Sequence, residues 1–133
     1  MTEARRSPRR SLVSHQDSLA IRKRRAEADP SNAQWQRDLA VSYNRVGDVR
    51  QAQGKLDAAL VSYQDSLAIR KRLAEADPSN AQWQRDLAFS YNRVGDVRQA
   101  LGTLAAALVS YLDSLARARR LAEAGRAWGG GGR

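Results

Sequence analysis

The sequence predicts an all-α protein of about five helices in antiparallel pairs, and two observations lead to this prediction. A segment of about 40 residues that begins at Ser14 recurs almost unchanged from Ser62, which gives a period of 48 residues. Within each copy the apolar residues recur every three or four positions, the spacing of one face of an α-helix. A fixed period of this length is typical of stacked helical units that bury their apolar faces against one another.

The first helix of each unit is predicted over residues 32–53 and 80–101. Its apolar positions in the first copy have helical spacing: Trp35, Leu39, Tyr43, Val46 and Val49. Ser31 and Ser79 precede these helices, where a hydroxyl oxygen can cap the first turn. We therefore expect Ser31 and Ser79 to be the N-caps.

The second helix of each unit is predicted over residues 56–76 and 104–124. Gly54 and Gly102 precede it, and glycine at this place indicates a turn between two helices. A further helix over residues 11–28 matches the second helix of a unit. The expected organisation is a basic arm (1–10) and a repeat domain (11–124) made of a half-unit (11–28), repeat one (31–76) and repeat two (79–124), followed by a flexible glycine-rich tail (125–133).

Each unit also carries aromatic, apolar, glycine and proline positions at set spacings, which in the first copy read Tyr43-x₂-Val46-Gly47-x₂-Arg50, Ala59-x₃-Tyr63 and Pro78. This pattern resembles the tetratricopeptide repeat (TPR) family, in particular its long-helix bacterial members, over residues 14–124. Arg50 and Arg98 stand where the family prefers an aromatic residue, and the period is longer than that of the family, which is about 34 residues. The resemblance implies a right-handed α-solenoid whose first helices line a concave face, and a role in protein–protein interaction.

Catalysis is not expected. His15 is the only histidine, and tyrosine occupies the equivalent position in the other copies. The carboxylates recur once per repeat, whereas a catalytic site is normally assembled once from unlike groups. There is no cysteine, no phosphate-binding glycine loop and no metal-ligand spacing. The sequence therefore predicts a non-enzymatic protein without cofactor or metal.

The predicted binding surface consists of the first-helix residues that are left after the core positions are set aside. Their amides, guanidinium groups and carboxylates could bind a peptide backbone or acidic side chains, and a solvated face with ion pairs such as Arg45–Asp48 is the alternative. In the first repeat they are Gln34, Asp38, Val41, Asn44, Arg45 and Asp48. Their equivalents are Gln82, Asp86, Phe89, Asn92, Arg93 and Asp96.

A second candidate surface is apolar and belongs to the last predicted helix. Polar residues of the preceding copy are replaced there, which leaves an apolar stripe on one helical face: Ala105, Val109, Leu112 and Ala116. Such stripes mark interaction sites, so self-association into a homo-oligomer is the alternative function.

The charge balance adds a third hypothesis. The chain has 23 Lys and Arg against 14 Asp and Glu, a net charge of +9, which suits an anionic partner such as nucleic acid. Aromatic residues interleaved for base stacking are absent, so a protein or peptide partner is preferred. No segment predicts a membrane span or a secretory signal, and a cytoplasmic location is expected.

Overall fold

The computed structural model describes the backbone of residues 8–131 and the side chains of residues 12–126. Within this part the chain is helical and contains no strand. The four helices are α1 (Pro8–Ala28), α2 (Ala33–Ala52), α3 (Leu56–Ala76) and α4 (Ala81–Gly131). The predicted all-α class is confirmed, and the first helical hairpin forms from α2 and α3 as expected.

The second predicted hairpin does not form, because residues 80–101 and 104–124 belong to one continuous helix, α4. Gly54 has a φ of 77° and ends α2 in the left-handed conformation, whereas its equivalent Gly102 has no positive φ. The flanking residues account for the difference. Leu101 and Ala105 are strong helix formers, while Asp57, the equivalent of Ala105, lies in the first turn of α3, where an acidic side chain stabilises a new helix start.

The predicted ends of the chain also differ from the structure. Helix α4 continues to Gly131, so most of the tail predicted to be flexible over residues 125–133 is helical. Pro8 begins α1, and the remainder of the predicted basic arm, residues 1–7, lies outside the described residues.

The chain divides into two compact units, unit 1 (Met1–Gln99) and unit 2 (Ala100–Arg133). The core of unit 1 is formed by α1, α2 and α3 and includes Ala26, Leu39, Ala40 and Ile69. In unit 2 every described residue from 102 to 126 is exposed to solvent. No helix in the described part of the chain is long and apolar enough to cross a membrane.

The helix starts are capped by asparagine rather than by the predicted serines. The Asn32 Oδ1 atom accepts a hydrogen bond from the Trp35 backbone N at 3.0 Å, and Asn80 caps α4 in the same way. The Ser31 hydroxyl instead donates to the Asp29 carboxylate at 2.8 Å. Asparagine and serine cap equally well, and the turn directs the serine hydroxyl back to the preceding aspartate.

Arginine–serine hydrogen bonds join each pair of successive helices in unit 1. The Nη1 atom of Arg22 in α1 donates to Ser42 Oγ in α2 at 2.7 Å, and Arg70 in α3 donates to Ser90 in α4 at 2.9 Å. These two bonds are one repeat period apart, so both copies of the repeat build the same contact. Between α2 and α3 the Nη1 atom of Arg50 donates to Ser62 Oγ at 3.0 Å.

Helices α2 and α3 approach each other closely at Gly47, which lies against the ring of Tyr63. A Cβ atom built on Gly47 would lie 2.7 Å from Tyr63 Cε1 and 2.9 Å from Cδ1. The Tyr63 side chain is fully buried (0% exposed), so it cannot move away without losing its packing. The hairpin therefore requires a residue without a side chain at position 47.

Substitution Gly47→Ala is expected to lower the free energy of unfolding by about 1–3 kcal/mol, because the new methyl group overpacks the α2–α3 interface. Urea denaturation followed by circular dichroism measures the change. Gly125→Ala is the matched control, since a Cβ there meets nothing within 4 Å and helix propensity should then make the change neutral or slightly stabilising. Equal stability of Gly47→Ala and the parent chain would contradict the steric account.

Candidate functional site

The first helices of the two repeats, α2 and residues 81–99 of α4, are joined by ion pairs in unit 1. The Nε atom of Arg37 lies 3.0 Å from Asp86 Oδ2. The Nη2 atom of Arg93 lies 3.6 Å from Asp48 Oδ1. Each pair takes one residue from each helix, so the structure brings the two halves of the predicted binding surface together.

An aromatic–arginine cluster occupies part of this surface. The guanidinium carbon of Arg93 lies 5.0 Å from the centroid of the Phe89 ring and 5.8 Å from that of Tyr63. The guanidinium carbon of Arg70 lies 5.8 Å from the Phe89 ring. Phe89 is 47% exposed, and cations near its ring are attracted by the ring quadrupole. The cluster therefore presents an apolar ring to solvent beside two arginines.

Tyr63 is the buried member of this cluster. Its hydroxyl donates to the Asp48 carboxylate, and Gln51 Oε1 is a second acceptor at 3.0 Å from the same hydroxyl oxygen. Burial raises the pKa of the Tyr63 phenol well above its ordinary value, and the hydrogen bond to Asp48 raises it further. The phenol therefore stays protonated and keeps Asp48 facing Arg93.

Arg70 is the most buried charged residue of the cluster. Its Nη1 atom donates to Ser90 Oγ and, at 3.4 Å, to the Asp86 backbone carbonyl, while its Nε atom is buried without a hydrogen-bond partner. Burial lowers the pKa of the Arg70 guanidinium. These hydrogen bonds hold the Arg70 guanidinium against α4, where it lies beside the Phe89 ring.

The predicted surface residues are accessible to different degrees. Arg45, Asp48, Asn92 and Asp96 are exposed, and Val41 is half-buried. Gln34 and Gln82 are exposed and donate to the carboxylates four residues later, Asp38 and Asp86, at 2.8 and 2.9 Å. Asp86 is mostly buried in its ion pair with Arg37.

One residue of the predicted surface is not accessible. Asn44 is buried (7% exposed) because it lies on the α2 face that also carries Ala40 and Gly47, so a ligand cannot reach it. The alternative of a solvated face named an Arg45–Asp48 ion pair, but Asp48 pairs with Arg93 of α4 instead.

Two features escaped the sequence analysis. Tyr63 belongs to a second helix and was identified only as part of the repeat motif, although Gly47 of the same motif was a usable signal for close contact. A cavity of about 580 Å³ is lined by none of the predicted surface residues. Its mainly apolar wall includes Pro30, Ile69, Leu73 and Trp83, and the recurrent Pro and Trp positions were the available signal for it.

The predicted self-association stripe is accessible in unit 2. Val109 is 58% and Leu112 is 53% exposed, and Ala105 and Ala116 are exposed as well. In the described residues no group of three or more His, Cys, Asp or Glu is placed to hold a metal ion.

Substitution Tyr63→Phe is expected to lower the free energy of unfolding near pH 7 by about 1–2 kcal/mol, because the hydrogen bond from the phenol to the Asp48 carboxylate is lost. The folded-state pKa of Tyr63 exceeds the unfolded-state value, so its contribution is complete below pH about 10 and is lost as the pH rises further. Urea unfolding from pH 8 to 11 should therefore show a steeper loss in the parent chain than in Tyr63→Phe. Parallel pH profiles would show that the phenol is not held by Asp48.

Comparison with known proteins agrees with the helical-repeat architecture. A family model described as tetratricopeptide repeat matches residues 38–111, which is more than half of the chain. No curated protein and no solved structure matches the chain. Repeats of this family generally mediate protein–protein interaction. The chain belongs to the tetratricopeptide repeat family.

Proposed function

We propose that the chain is a non-enzymatic scaffold that binds a peptide or protein segment on the face formed by α2 and residues 81–99 of α4. The observation that carries this proposal is Phe89, a large apolar side chain that is 47% exposed between the guanidinium groups of Arg70 and Arg93. Aromatic and arginine side chains are the residue types that dominate binding energy at protein interfaces.

The residues around Phe89 suggest the chemistry of the partner. Arg45 is exposed and can donate to carboxylates or to backbone carbonyls. Arg93 is partly exposed and forms an ion pair with the Asp48 carboxylate. A segment with an apolar side chain next to acidic residues would place the former on Phe89 and the latter near the arginines, and the net charge of +9 favours its approach.

A peptide selected from a displayed random library on the parent chain provides the test ligand. Phe89→Ala is expected to weaken its binding at least tenfold, about 1.4 kcal/mol, and Arg93→Ala should weaken it through the loss of charge-assisted hydrogen bonds. Fluorescence anisotropy measures both dissociation constants.

Two variants serve as controls for this test. Phe89→Val introduces the residue of the first repeat and should give an intermediate affinity, while Lys71→Ala removes an exposed cation of α3 and should change little. Affinities that are unchanged in both Phe89→Ala and Arg93→Ala would eliminate this face as the binding site.

Self-assembly is the second candidate function, and the exposed apolar surface of unit 2 favours it. Val109 and Leu112 are more than half exposed, and such patches mark contact surfaces. Sedimentation velocity is expected to show association at micromolar concentrations. Leu112→Gln restores the polar residue of the preceding copy, and it should weaken this association if the stripe is the contact. A concentration-independent monomer would dismiss this candidate.

A further inference from the structure

Helix α4 carries two helical faces whose counterparts in the α2–α3 hairpin cover each other. Ala40, Asn44 and Gly47 of α2 are buried, whereas their equivalents one repeat period later, Ala88, Asn92 and Gly95, are exposed. These last three residues are named the receiving face. They are spaced to lie on one side of a helix, and a Cβ added at Gly95 meets nothing within 4 Å.

The other uncovered face is in unit 2. Ala59, Ser62, Tyr63 and Ser66 of α3 are all buried, and their equivalents, named the inserting face, are exposed: Ala107, Ser110, Tyr111 and Ser114. The change is largest at the aromatic position, where Tyr63 is 0% and Tyr111 is 62% exposed. All four residue types are unchanged between the two copies.

The residues that hold the α2–α3 hairpin together are thus present a second time. Gly47 contacts Tyr63, and Arg50 donates to Ser62; the equivalent pairs are Gly95 with Tyr111 and Arg98 with Ser110. A single continuous helix cannot form a hairpin with itself, and α4 is continuous from Ala81 to Gly131. Each face therefore needs a complement from another molecule, and a second copy of this chain carries both complements.

We propose that two copies of the chain exchange the second half of α4, so that residues 104–124 of each copy cover residues 81–101 of the other. The two α4 helices then run antiparallel and are related by a two-fold axis. The midpoints of the pairs Gly95–Tyr111 and Arg98–Ser110 are residues 103 and 104, so the axis passes beside Thr103 and Leu104. This is a self-complementary interface in which each contact occurs twice, an arrangement that domain exchange provides at low cost.

The substitutions near the axis fit this arrangement. The α2–α3 turn is flanked by two charged residues, Lys55 and Asp57, and their equivalents are the neutral Thr103 and Ala105. On a two-fold axis each charge would lie next to its own copy, where like charges repel. The same changes remove the charged residues that favour a turn at Gly102. They therefore favour the continuous helix, which the exchanged pair requires.

The inference deepens the second candidate function but assigns a different contact surface. The stripe at 105, 109, 112 and 116 corresponds to α3 residues Asp57, Val61, Gln64 and Ala68, which are exposed or half-buried in the hairpin. In the exchanged pair Val109, Leu112 and Ala116 stay outside the contact, and only Ala105 lies near the axis. Association through the stripe and association through the inserting face are therefore distinguishable.

Thiol cross-linking tests the exchange directly, since the chain has no cysteine of its own. In the double variant Arg98→Cys with Ser110→Cys, a short bismaleimide should join two chains, and denaturing electrophoresis should show a covalent dimer. The control is Arg50→Cys with Ser62→Cys, which should be cross-linked within one chain because these side chains meet in the α2–α3 hairpin. Internal cross-linking of the first variant, or none while the control reacts, would refute the exchange.

Point substitutions provide a second readout by sedimentation equilibrium. Tyr111→Ala should raise the dissociation constant of the dimer at least about 100-fold, as expected for truncation of a buried aromatic side chain, and Gly95→Ala should weaken the dimer by steric overlap with the tyrosine of the other copy. Leu112→Gln should leave the dimer intact. The opposite pattern, in which Leu112→Gln dissociates the dimer and Tyr111→Ala does not, assigns the contact to the stripe and rejects the exchange.

Restoring the turn tests the role of Gly102. The triple variant Leu101→Gln, Thr103→Lys and Ala105→Asp reproduces the residues around Gly54, and it should form the closed hairpin within one chain and sediment as a monomer. The same cross-linking pair in this background should then react internally. A triple variant that remains a dimer with cross-links between chains would show that these residues do not control the exchange.

Discussion

The packing of Tyr63 against Gly47 is the contact on which the described architecture depends. It sets the distance between α2 and α3, and it directs the Tyr63 hydroxyl to Asp48 and Gln51 at the surface. Asp48 is thereby held where Arg93 of α4 can pair with it. One buried aromatic residue thus links the hairpin to the surface that we propose for binding, because its ring needs an apolar contact while its hydroxyl needs a polar partner.

Arginine–serine hydrogen bonds recur at the helix contacts of this chain. Arg22, Arg50 and Arg70 each reach a serine on the neighbouring helix, and Arg50 stands where the family prefers an aromatic residue. The apolar stem of arginine can fill the space along a helix while its donors satisfy a hydroxyl or a carbonyl. Burial of the guanidinium is costly, so these contacts contribute more to the register between helices than to overall stability.

Much of the architecture was predictable because it depends on local patterns that the sequence repeats. The helical spacing of the apolar residues, the proline that follows Asp29 and the glycine at position 54 were sufficient for α1, α2 and α3, with ends within a few residues of those observed. The surface was predictable only in part. Phe89 and Arg93 were identified. The burial of Asn44 and the contacts of Tyr63 depend on how α3 packs on α2, and the helical spacing within α2 does not specify this packing.

The sequence by itself determined the helical class, the repeat period and the family, because side-chain periodicity and motif spacing are properties of the chain. Only the tertiary structure decided which glycine makes a turn. Gly54 and Gly102 stand in similar surroundings, yet one ends a helix and the other lies inside one. Whether the chain turns at a glycine or continues as a helix depends on a few flanking side chains and on whether a neighbouring surface buries both helices of the turn. Where the local preference for turn or helix is nearly even, this long-range packing energy decides the conformation.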